Sequence, residues 1–237
     1  MRKIKVSFLV ILLLGFAVSG ASAATIDLFQ WVFNTNSTVY DSLGIAGSST
    51  LPGNFNTAGF NTGTGLGTIN ITFNTPGSYN FIGFFDHEID QTINTFFNEY
   101  GSTSGSPAAG QSWQIGNPFD SSPGNIYSNV LAGALNNSNG VPSSAPDDVS
   151  MALAWNFVLG AGQTALITLN LSLTGPGGGF YLQQTDPDSP ANIYYSGTLN
   201  IQGGGGGPAV PEPATMLLLG SGLAGLIGFG RKRLFKK

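Results

Sequence analysis

Six consecutive residues, Phe85, Asp86, His87, Glu88, Ile89 and Asp90, form the densest group of chemistry-bearing side chains in the 237-residue chain. The group includes the only histidine. Carboxylates at Asp86, Glu88 and Asp90 fall at every second position and offer hard oxygen ligands of the kind Ca²⁺ takes, with further ligands to come from elsewhere. The central glycine and final glutamate of a helix-loop-helix calcium motif do not follow. Zinc would need more imidazole or thiolate than one histidine and no cysteine provide. The same acids also suit the first turn of a helix, where a side-chain oxygen caps free amides and negative charge is favoured. Asp147-Asp148 and Asp186-Pro187-Asp188 are two further acid clusters; either would join the first in a shared site or mark a polar turn.

Catalysis has few tools here. A serine triad would have to use His87, and no serine sits in a Gly-x-Ser-x-Gly elbow. Phosphoryl transfer normally relies on a Lys or Arg clamp, and residues 6–230 contain neither. Paired carboxylates can hydrolyse glycosides, but nothing selects one pair. Sugar binding is more compatible, through aromatic faces and the many Asn, Gln and Thr side chains. The aromatic candidates are Trp31, Tyr40, Trp113, Tyr127, Tyr194 and Tyr195, each of which equally suits sheet packing; Trp155 reads as core.

The elements that would position these groups are mostly strands. Apolar and polar residues alternate strictly over 68–74 and again over 164–174, where Ala165, Ile167, Leu169, Leu171 and Leu173 share a face. The odd positions from Val149 to Leu159 are all large and apolar. Further strands are expected over 26–33, 79–85, 180–184 and 192–201, separated by Gly, Pro and Asn clusters. One segment departs from this period. Ile89, Ile93, Phe96 and Phe97 are spaced as an amphipathic stripe, predicting a short helix over 88–100 capped by Asp86 and stopped by Gly101. Residues 54–67 and 101–110 read as Gly/Ser/Thr loops. The expectation is a mainly β fold, an antiparallel, jelly-roll-like β-sandwich carrying one short helix.

Charge divides the chain. All eight Lys and Arg residues lie at positions 2, 3, 5, 231, 232, 233, 236 and 237. All twelve acids lie between, eleven of them within 24–202, so that segment carries about −11, a field that repels phosphate backbones and argues against nucleic-acid binding. Arg2, Lys3 and Lys5 precede an apolar run over 6–18, and Ala21 and Ala23 supply the small residues of a signal-peptide cleavage site. That run falls short of the roughly 20 residues a spanning helix needs. No cysteine is present, so the exported domain must rely on its core rather than disulfides. The expected organisation is a signal peptide over 1–23, an acidic ectodomain over 24–202, a Gly-rich linker over 203–209 and a tail over 210–237.

The tail holds Pro211, Glu212 and Pro213, then an apolar run over 214–229, then Arg231, Lys232 and Arg233. The run would form a transmembrane helix with the basic cluster on the cytoplasmic side. This arrangement resembles the PEP-CTERM sorting signal over its whole length. The resemblance implies export through the Sec translocon, insertion in the inner membrane of an exopolysaccharide-producing Gram-negative bacterium, and processing by an exosortase. It makes Pro211, Glu212, Pro213 and the basic cluster recognition residues for that enzyme. Interior segments such as NFIGFFDHEIDQTINTFFNEYG and APDDVSMALAWNFVLGAGQTA resemble other PEP-CTERM proteins, a likeness that brings no activity with it. The leading expectation is a non-catalytic protein of the cell surface or the exopolysaccharide matrix of a biofilm. The alternatives are a glycan-binding or Ca²⁺-dependent adhesion module and, further off, a glycan hydrolase. Similar tails also accompany ice-binding proteins, but no long Thr-x-Thr array occurs here.

Overall fold

The computed structural model describes residues 24–119 and 125–204. In chain order the strands are β1 (Ile26–Thr35), β2 (Thr38–Asp41), β3 (Phe55–Phe60), β4 (Gly67–Phe73), β5 (Gly77–Ile89), β6 (Tyr100–Ser104), β7 (Gln111–Gly116), β8 (Ser138–Asn139), β9 (Ser150–Leu159), β10 (Gln163–Ser172), β11 (Tyr181–Thr185) and β12 (Asn192–Gly203). They form two six-stranded sheets. The first runs β2-β1-β5-β9-β7-β8 and the second β3-β4-β10-β12-β11-β6. Every strand pair is antiparallel except β7 with β8.

Period-two patterning explains why the sheets share one core. Ala165, Ile167, Leu169 and Leu171 of β10 are buried, and they meet Met151, Leu153, Trp155, Phe157 and Leu159 of β9 in the same apolar cluster. Aromatic residues fill the middle. Phe33, Phe81, Phe85 and Tyr195 lie there, and the Tyr195 hydroxyl donates to the Gly83 carbonyl at 3.0 Å. Gly83 carries no side chain because a Cβ would stand 2.8 Å from that hydroxyl and 2.9 Å from Leu169 Cδ1.

The outer face of the first sheet is covered as well. A seven-residue helix, α1 (Ile126–Ala132), places Ile126 and Val130 on Val32, Ile82, Phe84, Ala152 and Ala154. Small residues at 152 and 154 leave room for it. The Asn125 side chain accepts from Ser128 N at 2.6 Å, and Gly133 ends the helix at φ 78°. From β1, buried Asn34 donates to the carbonyls of Val130 at 2.8 Å and Leu131 at 3.2 Å.

Three expectations are corrected. The helix over 88–100 does not form: β5 continues through Ile89, and Glu88 and Ile89 pair with Asp27 and Ile26 of β1. Beyond it only a 3₁₀ turn appears, Phe96–Asn98, with Thr95 at its N-terminus. The apolar stripe does not face one way, since Ile89 is buried while Ile93 and Phe97 are exposed. Ladder pairing along a long central strand outweighed a local helical period. Asp86 is therefore a mid-strand residue and caps nothing. The segments 54–67 and 101–110, read as loops, contribute β3 and most of β6 as the two edges of the second sheet. Leu173 lies past the end of β10 and is exposed.

A buried carboxylate cluster at the end of the first sheet

Along β5, Asp86 and Glu88 share the parity of Ile82 and Phe84, and so continue the outer row of the first sheet beyond α1. Ser150 of β9 lies directly opposite Asp86 in the ladder and donates to its Oδ1 at 2.8 Å. Asp148, two residues before Ser150, turns its carboxylate to the same place. Asp86, Glu88 and Asp148 each bring an oxygen within 4.8 Å of the others. All three are buried, at 0 %, 3 % and 0 % exposure. Asp86 Oδ2, Glu88 Oε2 and both oxygens of Asp148 have no hydrogen-bond partner.

Glu99 lies behind this group. Its Oε1 accepts from Ile89 N at 3.3 Å and its Oε2 from Gln184 Nε2, which also donates to the His87 carbonyl at 2.7 Å. Burial pushes the Glu99 carboxyl up to about 9, further raised by Glu88 and Asp148 and only partly offset by Gln184 and the Ile89 amide. Burial likewise raises Glu88 to about 7, reinforced by Asp27 across the ladder. Burial holds Asp86 and Asp148 well above the usual carboxylate range, reinforced at Asp86 chiefly by Asp148 and at Asp148 by Glu88 and Asp147.

Other buried acids in the fold are fully served. Asp41 accepts from Gln30 Nε2 at 2.8 Å, Leu43 N at 3.0 Å, Ala46 N at 3.0 Å and the Tyr127 hydroxyl at 3.1 Å. Asp186 accepts from Asn94 Nδ2 through both oxygens, at 3.0 and 2.8 Å, and from Asp188 N at 2.8 Å. The cluster of Asp86, Glu88 and Asp148 differs in that four of its oxygens have no hydrogen-bond partner, the Val149 amide only moderating the charge of Asp148.

The structure thus brings together two of the three carboxylates expected at 86, 88 and 90 and replaces the third. Asp90 adopts φ 54° and accepts from Thr25 N at 2.6 Å while donating its own amide to the Thr25 carbonyl, away from the cluster. His87 has the opposite parity. Its Nε2 lies 3.2 Å from the Gly65 carbonyl, an acceptor only, which places the ring hydrogen on Nε2. A Cβ at Gly65, itself at φ +67°, would come within 2.3 Å of that nitrogen. Burial lowers the His87 pKa to about 4, so the ring is neutral at ordinary pH. Of the other two acid clusters, Asp148 joins the site whereas Asp186 and Asp188 form a polar turn.

Among the aromatic candidates, Trp155 and Tyr195 are core residues. Trp31, Tyr40 and Trp113 pack as half-buried rings against the central cluster, and Tyr127 lies over Phe84. Tyr194 is the exception: it meets Tyr181 edge-on at 5.7 Å on the outer face of the second sheet.

Ala21 and Ala23 lie outside the described residues. So do Pro211, Glu212, Pro213, Arg231, Lys232, Arg233 and the whole 214–229 run. Among the described residues no helix is long and apolar enough to cross a membrane.

Fold and site define a mainly β protein with an acidic two-sheet body and a buried carboxylate cluster. Residues 209–233 match the PEP-CTERM protein-sorting motif, so the chain carries a PEP-CTERM domain, and the motif indicates exosortase-dependent sorting of an exported protein and implies a membrane-anchored precursor. No curated protein and no solved structure matches the chain.

Proposed function

We propose that this protein is a non-catalytic component of the cell surface or exopolysaccharide matrix of a Gram-negative bacterium. The sorting motif at 209–233 carries the reading. Its body supports a binding or structural role rather than turnover: the sole imidazole is sealed inside the sandwich, and the densest carboxylates are buried away from any glycan. Deleting residues 211–237 tests it. Fractionation and intact mass should show the wild-type chain cleaved at both ends and retained with the envelope or matrix, and the truncated chain released to the medium. Unchanged retention of the truncated chain would overturn the reading.

A glycan-binding module is the second reading, favoured by the outer face of the second sheet. Ladder register aligns Asn70, Thr168 and Thr198 in one row, and Ser172, Tyr194, Gln183 and Ser102 in another. The face presents hydroxyls and amides, and none of its strand positions carries a charged side chain. A cavity of about 550 Å³, lined by Gln111, Thr168, Asn170, Phe180 and Thr198, adjoins it and falls in the size range of small-ligand sites. A glycan array probed with wild type and Tyr194→Ala would decide: binding lost in the variant supports the face, and an array blank for the wild type removes it.

A further inference from the structure

We propose that Asp86, Glu88 and Asp148 form a calcium site that locks the β5–β9 end of the first sheet. Two independent observations carry this. First, the oxygens converge with nothing to satisfy them. Four buried carboxylate oxygens, from residues between 0 % and 3 % exposed, have no hydrogen-bond donor. Native folds rarely leave such atoms orphaned, and the same chain satisfies buried Asp41 and Asp186 completely. Second, no protein cation can neutralise them. All Lys and Arg residues lie at positions 2–5 and 231–237, so the entire folded body offers no side-chain ammonium or guanidinium. The one imidazole faces the opposite side of β5.

The donor set chooses the metal. Oxygen-only ligation suits a hard divalent cation and disfavours zinc or copper. Oxygens all within 4.8 Å of one another fit around a cation with bonds of about 2.3–2.6 Å, whose opposed ligands stand about 5 Å apart. Three carboxylates against one dication leave a small net charge, in keeping with an acidic body. Glu99, held by Gln184 and the Ile89 amide, acts as a positioning residue behind the site, and Ser150 fixes the Asp86 carboxylate from the other side. Joining β5 to the entry of β9 ties residues 62 positions apart in sequence across the centre of the sheet. The proposal stands on this geometry; the exported location sets only the affinity range expected, about 10⁻⁴ to 10⁻³ M for extracellular calcium modules.

The test uses the full chain purified in detergent, stripped with EDTA and titrated separately with calcium and magnesium by calorimetry, with thermal unfolding followed in parallel. Wild type should bind one calcium per chain, and its unfolding midpoint should climb as calcium rises through the millimolar range. Asp86→Asn/Asp148→Asn should bind calcium at least about 10-fold more weakly. Its metal-free midpoint should equal or exceed that of wild type, because two uncompensated buried charges have gone. Asp90→Asn, on the Thr25 side, should bind like wild type. Should the double variant not fold, Glu88→Gln takes its place with the same expectation. The assignment is overturned if wild type takes up no calcium at about 10 mM, if the cluster variants bind as wild type does, or if magnesium binds and calcium does not.

Discussion

At the scale of single residues, the buried acids divide by whether the backbone and neutral side chains can serve them. Asp41 is the well-served case. Burial alone would raise its pKa, but donations from Gln30, Ala46, Leu43 and Tyr127 outweigh it and hold the carboxyl below its ordinary value. Replacing it, Asp41→Ala, strands the Gln30 amide and the Tyr127 hydroxyl and should cost about 3 kcal/mol in denaturant unfolding. The pH dependence has a definite sign. A depressed folded-state pKa contributes stability that is fully present above the unfolded value near 3.8 and disappears as pH falls through the folded value. Acid unfolding of wild type between about pH 4 and 2 should therefore be steeper than that of Asp41→Ala; parallel curves would show that Asp41 is not the titrating group. The sequence made part of the acid cluster legible. Asp86 and Glu88 share a strand face by parity alone. Asp148 could be placed beside them only by knowing that β5 pairs with β9, and Glu99 carries no local signal at all, since it lies in a turn whose position depends on β11.

At the scale of elements, the strands announced themselves where one face is buried and the other wet. β4 and β10 were readable for that reason, because burial on one side imposes period two, while β9, covered on both faces over most of its length, was readable from its row of large apolar residues. The edges β3 and β6 were not: they are short, rich in Gly, Ser, Thr and Asn, and paired on one side only. The helix was misplaced for a related reason. A stripe over 88–100 has the right spacing, yet Ile89 is committed to the ladder, whereas α1 is too short to show a period. A seven-residue helix does not persist alone in water, so α1 depends on its docking and its caps. Asn34 supplies the cap from a distance. Asn34→Ala frees the Val130 and Leu131 carbonyls and the Ser37 amide, which donates to Asn34 Oδ1 at 2.9 Å. It should destabilise by about 2 kcal/mol, more than the roughly 1 kcal/mol of Asn125→Ala at the other end. Hydrogen exchange over 126–133 reads this directly: faster exchange in Asn34→Ala than in Asn125→Ala is expected, and the reverse order would place the main anchor at the N-terminus instead.

At the scale of the whole molecule, the separation of charge sets the solution behaviour. Removing both ends takes away every positive side chain and leaves a body of about −11 with no lysine or arginine to form an ion pair. Its acids then have only one another, solvent and dissolved cations as electrostatic neighbours. Screening should consequently stabilise it: the unfolding midpoint of the processed protein is expected to rise steadily as NaCl is raised from about 10 mM to 0.5 M, over which the Debye length shrinks from about 30 Å to under 5 Å. A protein with mixed surface charge loses its ion pairs over the same range and gains little. A flat or falling midpoint would mean that the exposed acids, Asp27 among them, are already too far apart to repel. Screening of this kind acts only weakly on Asp86, Glu88 and Asp148, because buried charges are screened much less than exposed ones. A stabilisation appearing at millimolar calcium, added on top of saturating NaCl, would therefore report on the buried cluster, while one abolished by NaCl would report on the surface.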